Sequence, residues 1–322
     1  MKKISNVSLT EAVKQAQIVL VCTHIQPDGD AIGSALAVMH LLETLGKSVQ
    51  VSCQDPVPGY LRYLSGWERV LPPSQISGTF ALVLSVDASD QERLGLCAEL
   101  LKLGKTTSQI DHHATNTQFA QHNEVDSAAA ATGMLIMRLI NDMGVALSRD
   151  MASCLYAAIS SDTGNFSFSS VSAETFEQMR VIMDAGLPLA QDARRLHLVE
   201  TLGHMRLLGA ALTSLQLSDD ERLAQMALKQ QDFLDLGATR EESDGIVNHG
   251  LYILGVEMAF LATETPEGIK FSLRSVEPHK VSRVAVKFGG GGHDQAAGCT
   301  VHAPLDEALR QVSQAMAEEL HR

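Results

Sequence analysis

The strongest constraint on this chain is Thr23-His24-Ile25-Gln26-Pro27-Asp28-Gly29-Asp30-Ala31-Ile32-Gly33-Ser34, which follows directly on the apolar run Ile18-Val19-Leu20-Val21-Cys22. That run is too short for a globular helix, and its β-branched content suits a buried strand. Beyond the turn, Ala31 to Leu45 carries apolar residues at Ile32, Ala35, Leu36, Met39 and Leu42 and is closed by Gly46, which predicts a helix. One imidazole and two carboxylates therefore stand where a strand ends and a helix begins. In an open α/β sheet the crevice outside the carboxyl ends of the strands is the usual ligand site. Asp28 and Asp30 repel one another unless a cation or a proton relieves them. An imidazole with carboxylates suits Mn²⁺, Mg²⁺ or a mixed nitrogen and oxygen site rather than a structural zinc. The same residues also suit a plain polar turn with an Asp cap. Support for the metal reading comes from further down the chain.

A helix is expected over Leu9 to Gln17, and Ser48 to Cys53 alternates as a second strand. The stretch from Pro56 to Pro73 reads as a loop with a short helical turn. A third strand, Phe80 to Val86, ends in Asp87, ahead of a helix expected over Glu92 to Lys102. Asp87, Ser89 or Asp90 would each serve as a cap there. The next strand, Thr106 to Ile110, ends in Asp111-His112-His113. Val125-Asp126-Ser127 is expected to open an alanine-rich helix reaching Ile140. An amphipathic helix from Arg149 to Ser160 runs into Ser161-Asp162-Thr163-Gly164, and Ser172 caps another over Ala173 to Ala185. A carboxylate in a last helical turn, as at Asp162, opposes the helix dipole and is better tolerated beside a positive partner.

Gly186-Leu187-Pro188 closes the first half, so the expected organisation is a first domain over 1–187, a helical linker over 188–208 and a second domain over 209–322. At 322 residues the chain can bury roughly three quarters of its unfolded surface. In the second half, strands are expected over Leu251 to Ala262, Gly268 to Arg274 and Cys299 to His302, with helices over Val281 to Phe288 and Leu305 to Leu320. Arg222 to Leu228 fits a strand or a helix equally well. The fold class is α/β: a parallel-sheet domain joined by helices to a smaller mixed α/β domain.

The five scattered cysteines include no CxxC motif, so neither a disulfide framework nor a thiolate zinc site is indicated. No apolar run reaches membrane-spanning length, and Met1-Lys2-Lys3 is not followed by a signal-type core, so a cytoplasmic protein without a membrane association is expected. The net charge of −13 disfavours a protein that grips long nucleic acid by counterion release, and favours a short anionic substrate met by metal and a local basic cluster.

Strand and helix ends thus offer His24, Asp28, Asp30, Asp87, Asp111, His112, His113 and Asp162. Gathered at one sheet edge, the carboxylates would take up protons or destabilise the fold. Two divalent ions about 3.5–4 Å apart would relieve the repulsion, activate water and polarise a phosphoryl oxygen.

On these residues the sequence resembles the DHH phosphoesterase superfamily: His-x-x-Pro-Asp-Gly-Asp-x-x-Gly-Ser at 24–34, Asp87, Asp111-His112-His113 and Asp162-Thr163-Gly164. Gly-Gly-Gly-Gly-His-x-x-Ala-Ala-Gly at 289–298 is similar to the motif of its DHHA1 subfamily. Within it, the chain looks like the stand-alone bacterial proteins of the NrnA type. The resemblance implies two metal ions, Mn²⁺ foremost with Mg²⁺ or Co²⁺ as alternatives. His24, Asp28 and Asp87 would hold one ion, and Asp30, Asp87, His112 and Asp162 the other, with Asp87 bridging. It implies that Asp111 orients the imidazole of His112, and that His113 faces the phosphate as donor or acid. Arg274 and Ser275 would grip substrate together with Gly291, Gly292 and His293. The implied activity is hydrolysis of short oligoribonucleotides and dinucleotides such as pApA, and of 3′-phosphoadenosine 5′-phosphate to AMP. The alternatives are a single-strand exonuclease of broader length range and a nucleotide-binding protein without turnover. A homodimer is compatible with all three.

Overall fold

In the computed structural model, which describes residues 9–322, the first strands of the chain are β1 (Ile18–Cys22), β2 (Ser48–Ser52), β3 (Val70–Leu71), β4 (Phe80–Val86), β5 (Gly104–Asp111) and β6 (His122–Val125). They form one sheet in the order β3-β2-β1-β4-β5-β6, with every neighbouring pair parallel. Strand order reverses between β1 and β4, so the loops leaving those two strands part to either side and open a crevice at their carboxyl ends. Alternate residues of the two strands enter separate cores. Val19, Val21, Leu82 and Leu84 face one, while Leu20, Cys22 and Val83 face the other. Burial on both faces is why these strands read as continuous apolar runs.

The helices of this unit are α1 (Leu9–Gln15), α2 (Gly29–Thr44), α3 (Thr132–Asp142), α4 (Arg149–Asp162), α5 (Ala173–Asp184) and α6 (Leu189–His197). Glycines leave no room for a side chain where α2, α3 and α4 meet. A Cβ on Gly33 would strike the Cys154 carbonyl oxygen and stand 2.9 Å from the Ala158 nitrogen; one on Gly133 would stand 2.6 Å from the Ala158 Cβ. A Cβ on Gly29 would strike the Ser161 hydroxyl. The start of α2, which bears Asp30, is thereby laid against the end of α4, which bears Asp162.

Two expectations for this unit are corrected. The segment from Glu92 to Leu103 is a set of 3-10 turns broken at Gly95, whose φ of +55° no continuous helix allows. The alanine-rich helix starts at Thr132, well after Ser127. Asp126 ties Ala128 and Ala129 into a turn instead, through its side chain (3.0 Å) and its carbonyl (3.1 Å). The first free N–H groups of α3 then meet the carboxylate of Asp30, which the local alanine pattern cannot announce.

The chain divides into compact units between Val199 and Glu200. α6 packs Ala193 and Leu196 on the first core, and the following helix, α7 (Leu202–Thr213), contributes Leu207 and Ala211 to a core of the second unit.

That unit contains β7 (Gln216–Leu217), β8 (Leu223–Leu228), β9 (Met258–Thr265), β10 (Gly268–Ser275), β11 (Gly291–Gly292) and β12 (Ala296–Val301), in the order β11-β12-β10-β9-β8-β7. β8 and β9 are parallel and the other pairs antiparallel. The remaining helices are α8 (Gln230–Leu236), α9 (Asn248–Leu251), α10 (Val281–Lys287) and α11 (Leu305–Leu320). Phe271 and Leu273 pack with Val284, Val312 and Met316 on one face, and Met226 and Leu261 pack with Leu207 on the other. The stretch from Arg222 to Leu228 resolves as a strand. The strand expected over Leu251 to Ala262 starts later, at Met258, because Gly255 turns the chain at φ +90° after the short α9. Among the described residues, no helix is long and apolar enough to cross a membrane.

Candidate metal centre

Asp87 is the hinge of the site. It follows β4 directly and adopts a left-handed backbone conformation, φ +57°, which costs an L-residue about 1–3 kcal/mol. Its backbone N–H is held by the Ile110 carbonyl at 3.0 Å. This turn aims a buried carboxylate into the crevice, Oδ2 lying 3.4 Å from His24 Nε2 and Oδ1 lying 3.8 Å from His112 Nε2.

On one side, His24 Nε2 also lies 3.8 Å from Asp28 Oδ1, an oxygen that caps α2 by accepting from the Asp30 and Ala31 N–H groups at 3.0 Å each. On the other side, His112 Nε2 lies 2.9 Å from Asp162 Oδ2 and 3.9 Å from Asp30 Oδ2. Asp30 is fully buried; it accepts from Ser34 Oγ (2.8 Å), Thr132 N (2.6 Å) and Gly133 N (2.9 Å). Ligand-type atoms of His24, Asp28 and Asp87 lie within 4.8 Å of one another, as do those of Asp30, His112 and Asp162, and those of Asp87, His112 and His113.

Electrostatics shows what these clusters lack. Burial alone would push the His24 imidazole down, but Asp28 and Asp87 outweigh it and raise it to about 10. His112 likewise stands at about 10, burial being outweighed by Asp162 and Asp30. Burial, then the charges of Asp87 and Asp162, pushes Asp30 well above the usual carboxylate range. Burial also raises Asp162 to about 6, against the pull of His112. The crevice calls for positive charge.

The donor set fits divalent ions. His24 Nδ1 faces the Ile25 carbonyl at 2.7 Å, and His112 Nδ1 faces the Ala129 carbonyl at 3.2 Å. Each carbonyl favours a proton on Nδ1, so that Nε2 is the nitrogen available to a cation, the arrangement that metal-binding histidines commonly have. His112 Nε2 is buried without a well-aligned hydrogen bond, although Asp162 is near. Such an atom among carboxylate oxygens is satisfied by a cation between them.

The DHH family N-terminal domain matches residues 18–159, and the DHHA1 domain matches residues 223–321. The bifunctional oligoribonuclease and PAP phosphatase NrnA of Thermus thermophilus is 32% identical over 306 residues, spanning 94% of this chain and 90% of that protein. The chain belongs to the DHH/DHHA1 phosphoesterase family. The NrnA of Bacillus subtilis, with the same descriptive name, is 26% identical over 94% of this chain and 95% of its own length. A solved structure of an exopolyphosphatase-related protein from Bacteroides fragilis is similar with a TM-score of 0.91 at 26% identity, covering 96% of this chain and 94% of that one. The chain is thus a metal-dependent phosphoesterase related to NrnA-type enzymes.

One role implied for this phosphoesterase by resemblance is corrected. Asp111 does not orient His112. Its Oδ1 lies 2.8 Å from His113 Nδ1, and its Oδ2 accepts from Asn116 Nδ2 at 2.6 Å. The contact with Asp111 raises the His113 pKa. The two rings meet edge to face, centroids 4.7 Å apart, but their Nδ1 atoms have different partners, so the carboxylate reaches the second ring while a backbone carbonyl takes the first. Asn116 and Thr132 were not singled out from sequence. Asn116 is a polar loop residue and Thr132 a helix-start residue, and only folding brings them to Asp111 and Asp87.

In the DHHA1 domain, Arg274 is half-buried on β10; its Nε donates to Asn248 Oδ1 at 3.1 Å and its Nη1 to its neighbour's carbonyl at 2.9 Å. Ser275, expected beside it as a substrate contact, points to the other face, as successive strand residues do. It is buried, and its hydroxyl donates to the His279 carbonyl at 2.8 Å. The glycine run is largely a packing device. A Cβ on Gly290 or Gly292 would strike β12 or approach it within 2.6 Å, and Gly289 (+73°) and Gly292 (+138°) need positive φ. Gly291 has open space where a Cβ would stand, and His293, which follows the run, is exposed.

Proposed function

We propose that this phosphoesterase hydrolyses short oligoribonucleotides and dinucleotides such as pApA to mononucleotides, and 3′-phosphoadenosine 5′-phosphate to AMP, with two divalent ions, Mn²⁺ foremost. The observation that carries the reading is that Asp87 lies between two His/Asp clusters, His24 with Asp28 and His112 with Asp30 and Asp162. Kinship to proteins named as NrnA along nearly the whole chain supports the choice of substrate. His24, Asp28 and Asp87 would hold one ion, and Asp30, Asp87, His112 and Asp162 the other. When bound, the ions supply an activated water and neutralise charge on the phosphoryl oxygens.

The chain's own residues do the rest. Asp111 holds His113 through Nδ1, so that its other nitrogen can hold or deliver a proton at the phosphate. Arg274, as a planar fork of donors, grips a phosphate oxygen pair. Gly291 and His293 offer an approach without a Cβ and an imidazole. The net charge of −13 restricts the grip to a short substrate end.

The test is AMP release with Mn²⁺ from pApA, from 3′-phosphoadenosine 5′-phosphate and from an RNA of about two dozen nucleotides. Turnover of the two small substrates, with activity per end falling on the long RNA, is expected. Equal activity per end on the long RNA would favour a broader exonuclease, and no turnover of either small substrate would overturn the proposal. Arg274→Ala should raise KM for both small substrates while Mn²⁺ affinity stays at the wild-type value.

A further inference from the structure

Between β6 and the first turn of α3, the segment from Asp126 to Gly133 touches three of the proposed ligands with groups that are not ligands. The Ala129 carbonyl faces His112 Nδ1 at 3.2 Å, and the Thr132 and Gly133 N–H groups hold Asp30. Thr132 goes further, because its hydroxyl donates to Asp87 Oδ1 at 2.9 Å. It is completely buried and touches carboxylates from two different elements, Asp30 at the start of α2 and Asp87 after β4.

We propose that Thr132 is the positioning residue that fixes how Asp87 divides its two oxygens between the two ligand clusters. This rests on the two-ion reading above. The left-handed backbone at Asp87 sets the direction of its Cα–Cβ bond but leaves the carboxylate torsion soft, since an Asp terminal torsion is broad and two-fold. An unrestrained carboxylate there can turn both oxygens toward one ion and chelate it, leaving the other with one ligand fewer. The Thr132 hydroxyl occupies one lone pair of Oδ1, the oxygen on the His112 side, and leaves Oδ2 on the His24 side. Turning the carboxylate would break a buried hydrogen bond.

Thr132 is suited to that task. A β-branched side chain is stiff at χ1, and its backbone N–H is tied to Asp30 at 2.6 Å, so the hydroxyl is placed by the main chain. A purely structural role, starting α3, is already served by the N–H bonds to Asp30, which do not need the hydroxyl.

The experiment compares wild type, Thr132→Val and Thr132→Ser by calorimetric Mn²⁺ titration and by electron paramagnetic resonance at two equivalents of Mn²⁺, without substrate. Metal-free circular dichroism and melting establish that each variant is folded. Thr132→Val keeps the size and the backbone N–H and removes the hydroxyl. Its weaker Mn²⁺ site should lose about 10- to 100-fold in affinity, and the exchange-coupled spectrum of an ion pair should give way to that of isolated Mn²⁺. Thr132→Ser, which keeps the hydroxyl, should match wild type in both. If the Val variant does not fold, Thr132→Ala makes the same deletion and is read the same way. A folded Val or Ala variant with two ions at wild-type affinity and a coupled spectrum would overturn the proposal. So would a Ser variant weakened as much as Val. A wild-type chain that binds one ion without coupling would remove the two-ion reading itself, and the proposal with it.

Discussion

Asp111 holds its Oδ1 2.8 Å from Nδ1 of His113, while His112, its immediate neighbour in sequence, turns Nδ1 to the Ala129 carbonyl at 3.2 Å. The two rings of the Asp-His-His motif therefore have separate supports. A carboxylate backs the ring suited to proton transfer, and a neutral carbonyl backs the ring suited to metal. The carbonyl faces Nδ1 of His112 and leaves Nε2 as the nitrogen turned to the carboxylates, whereas Asp111 favours a protonated His113.

This separation makes a prediction for Asp111→Asn. Turnover should fall by up to about 100-fold, the lower end of what a positioned proton donor contributes, with Mn²⁺ affinity within error of wild type. Paired measurement of kcat and of calorimetric Mn²⁺ binding checks it. If Asp111→Asn weakens Mn²⁺ binding as much as it lowers kcat, Asp111 supports a ligand after all.

Helix packing makes the second prediction. The missing Cβ of Gly33 leaves room for the Cys154 carbonyl and the Ala158 nitrogen of α4. Gly33→Ala must push α2 and α4 apart and with them Asp30 and Asp162. Overpacking of this kind costs about 1–3 kcal/mol. Urea unfolding of the metal-free protein should show that loss, together with weaker Mn²⁺ binding. A variant as stable as wild type would show that the seam has slack.

Much of this was legible in the chain, for a physical reason. Buried parallel strands announce themselves as apolar runs, and the residues that end them, His24, Asp87 and Asp111, fall at one sheet edge whatever the strand order. Order itself was not legible, because nothing local says that β4 pairs with β1. The late start of α3 depends on Asp30, about a hundred residues away in sequence. The roles of the two histidines depend on ring directions that a motif does not carry. In the DHHA1 domain, the alternation of Arg274 and Ser275 across β10 was readable from the strand period, but the motif treated them as a pair.

The third prediction concerns acid stability in the second unit. Glu257 accepts from Arg222 Nε at 2.8 Å and Nη2 at 2.9 Å, and lies 2.7 Å from His279 Nε2. Arg222 foremost, then His279, holds the carboxyl down at about 2. A folded-state value below the unfolded one adds stability that is present above the unfolded value, about 4.3 for Glu, and is lost as pH falls toward 2. Wild type should therefore melt above Glu257→Gln at pH 7, and the gap should close between about pH 4.5 and pH 2. Thermal scans across that range check it, and a gap independent of pH would assign the stabilisation to packing.

In the two-ion reading, Asp87 joins the two metal sites. The direct measurement is calorimetric titration of metal-free wild type and Asp87→Ala with Mn²⁺, alongside far-UV circular dichroism. Wild type should take up two ions per chain. Asp87→Ala should keep the wild-type spectrum and lose tight binding of both ions together, because each cluster loses an oxygen of the same carboxylate. A folded Asp87→Ala that still binds two ions tightly, or one that loses a single ion and holds the other at wild-type affinity, would contradict the shared role of Asp87.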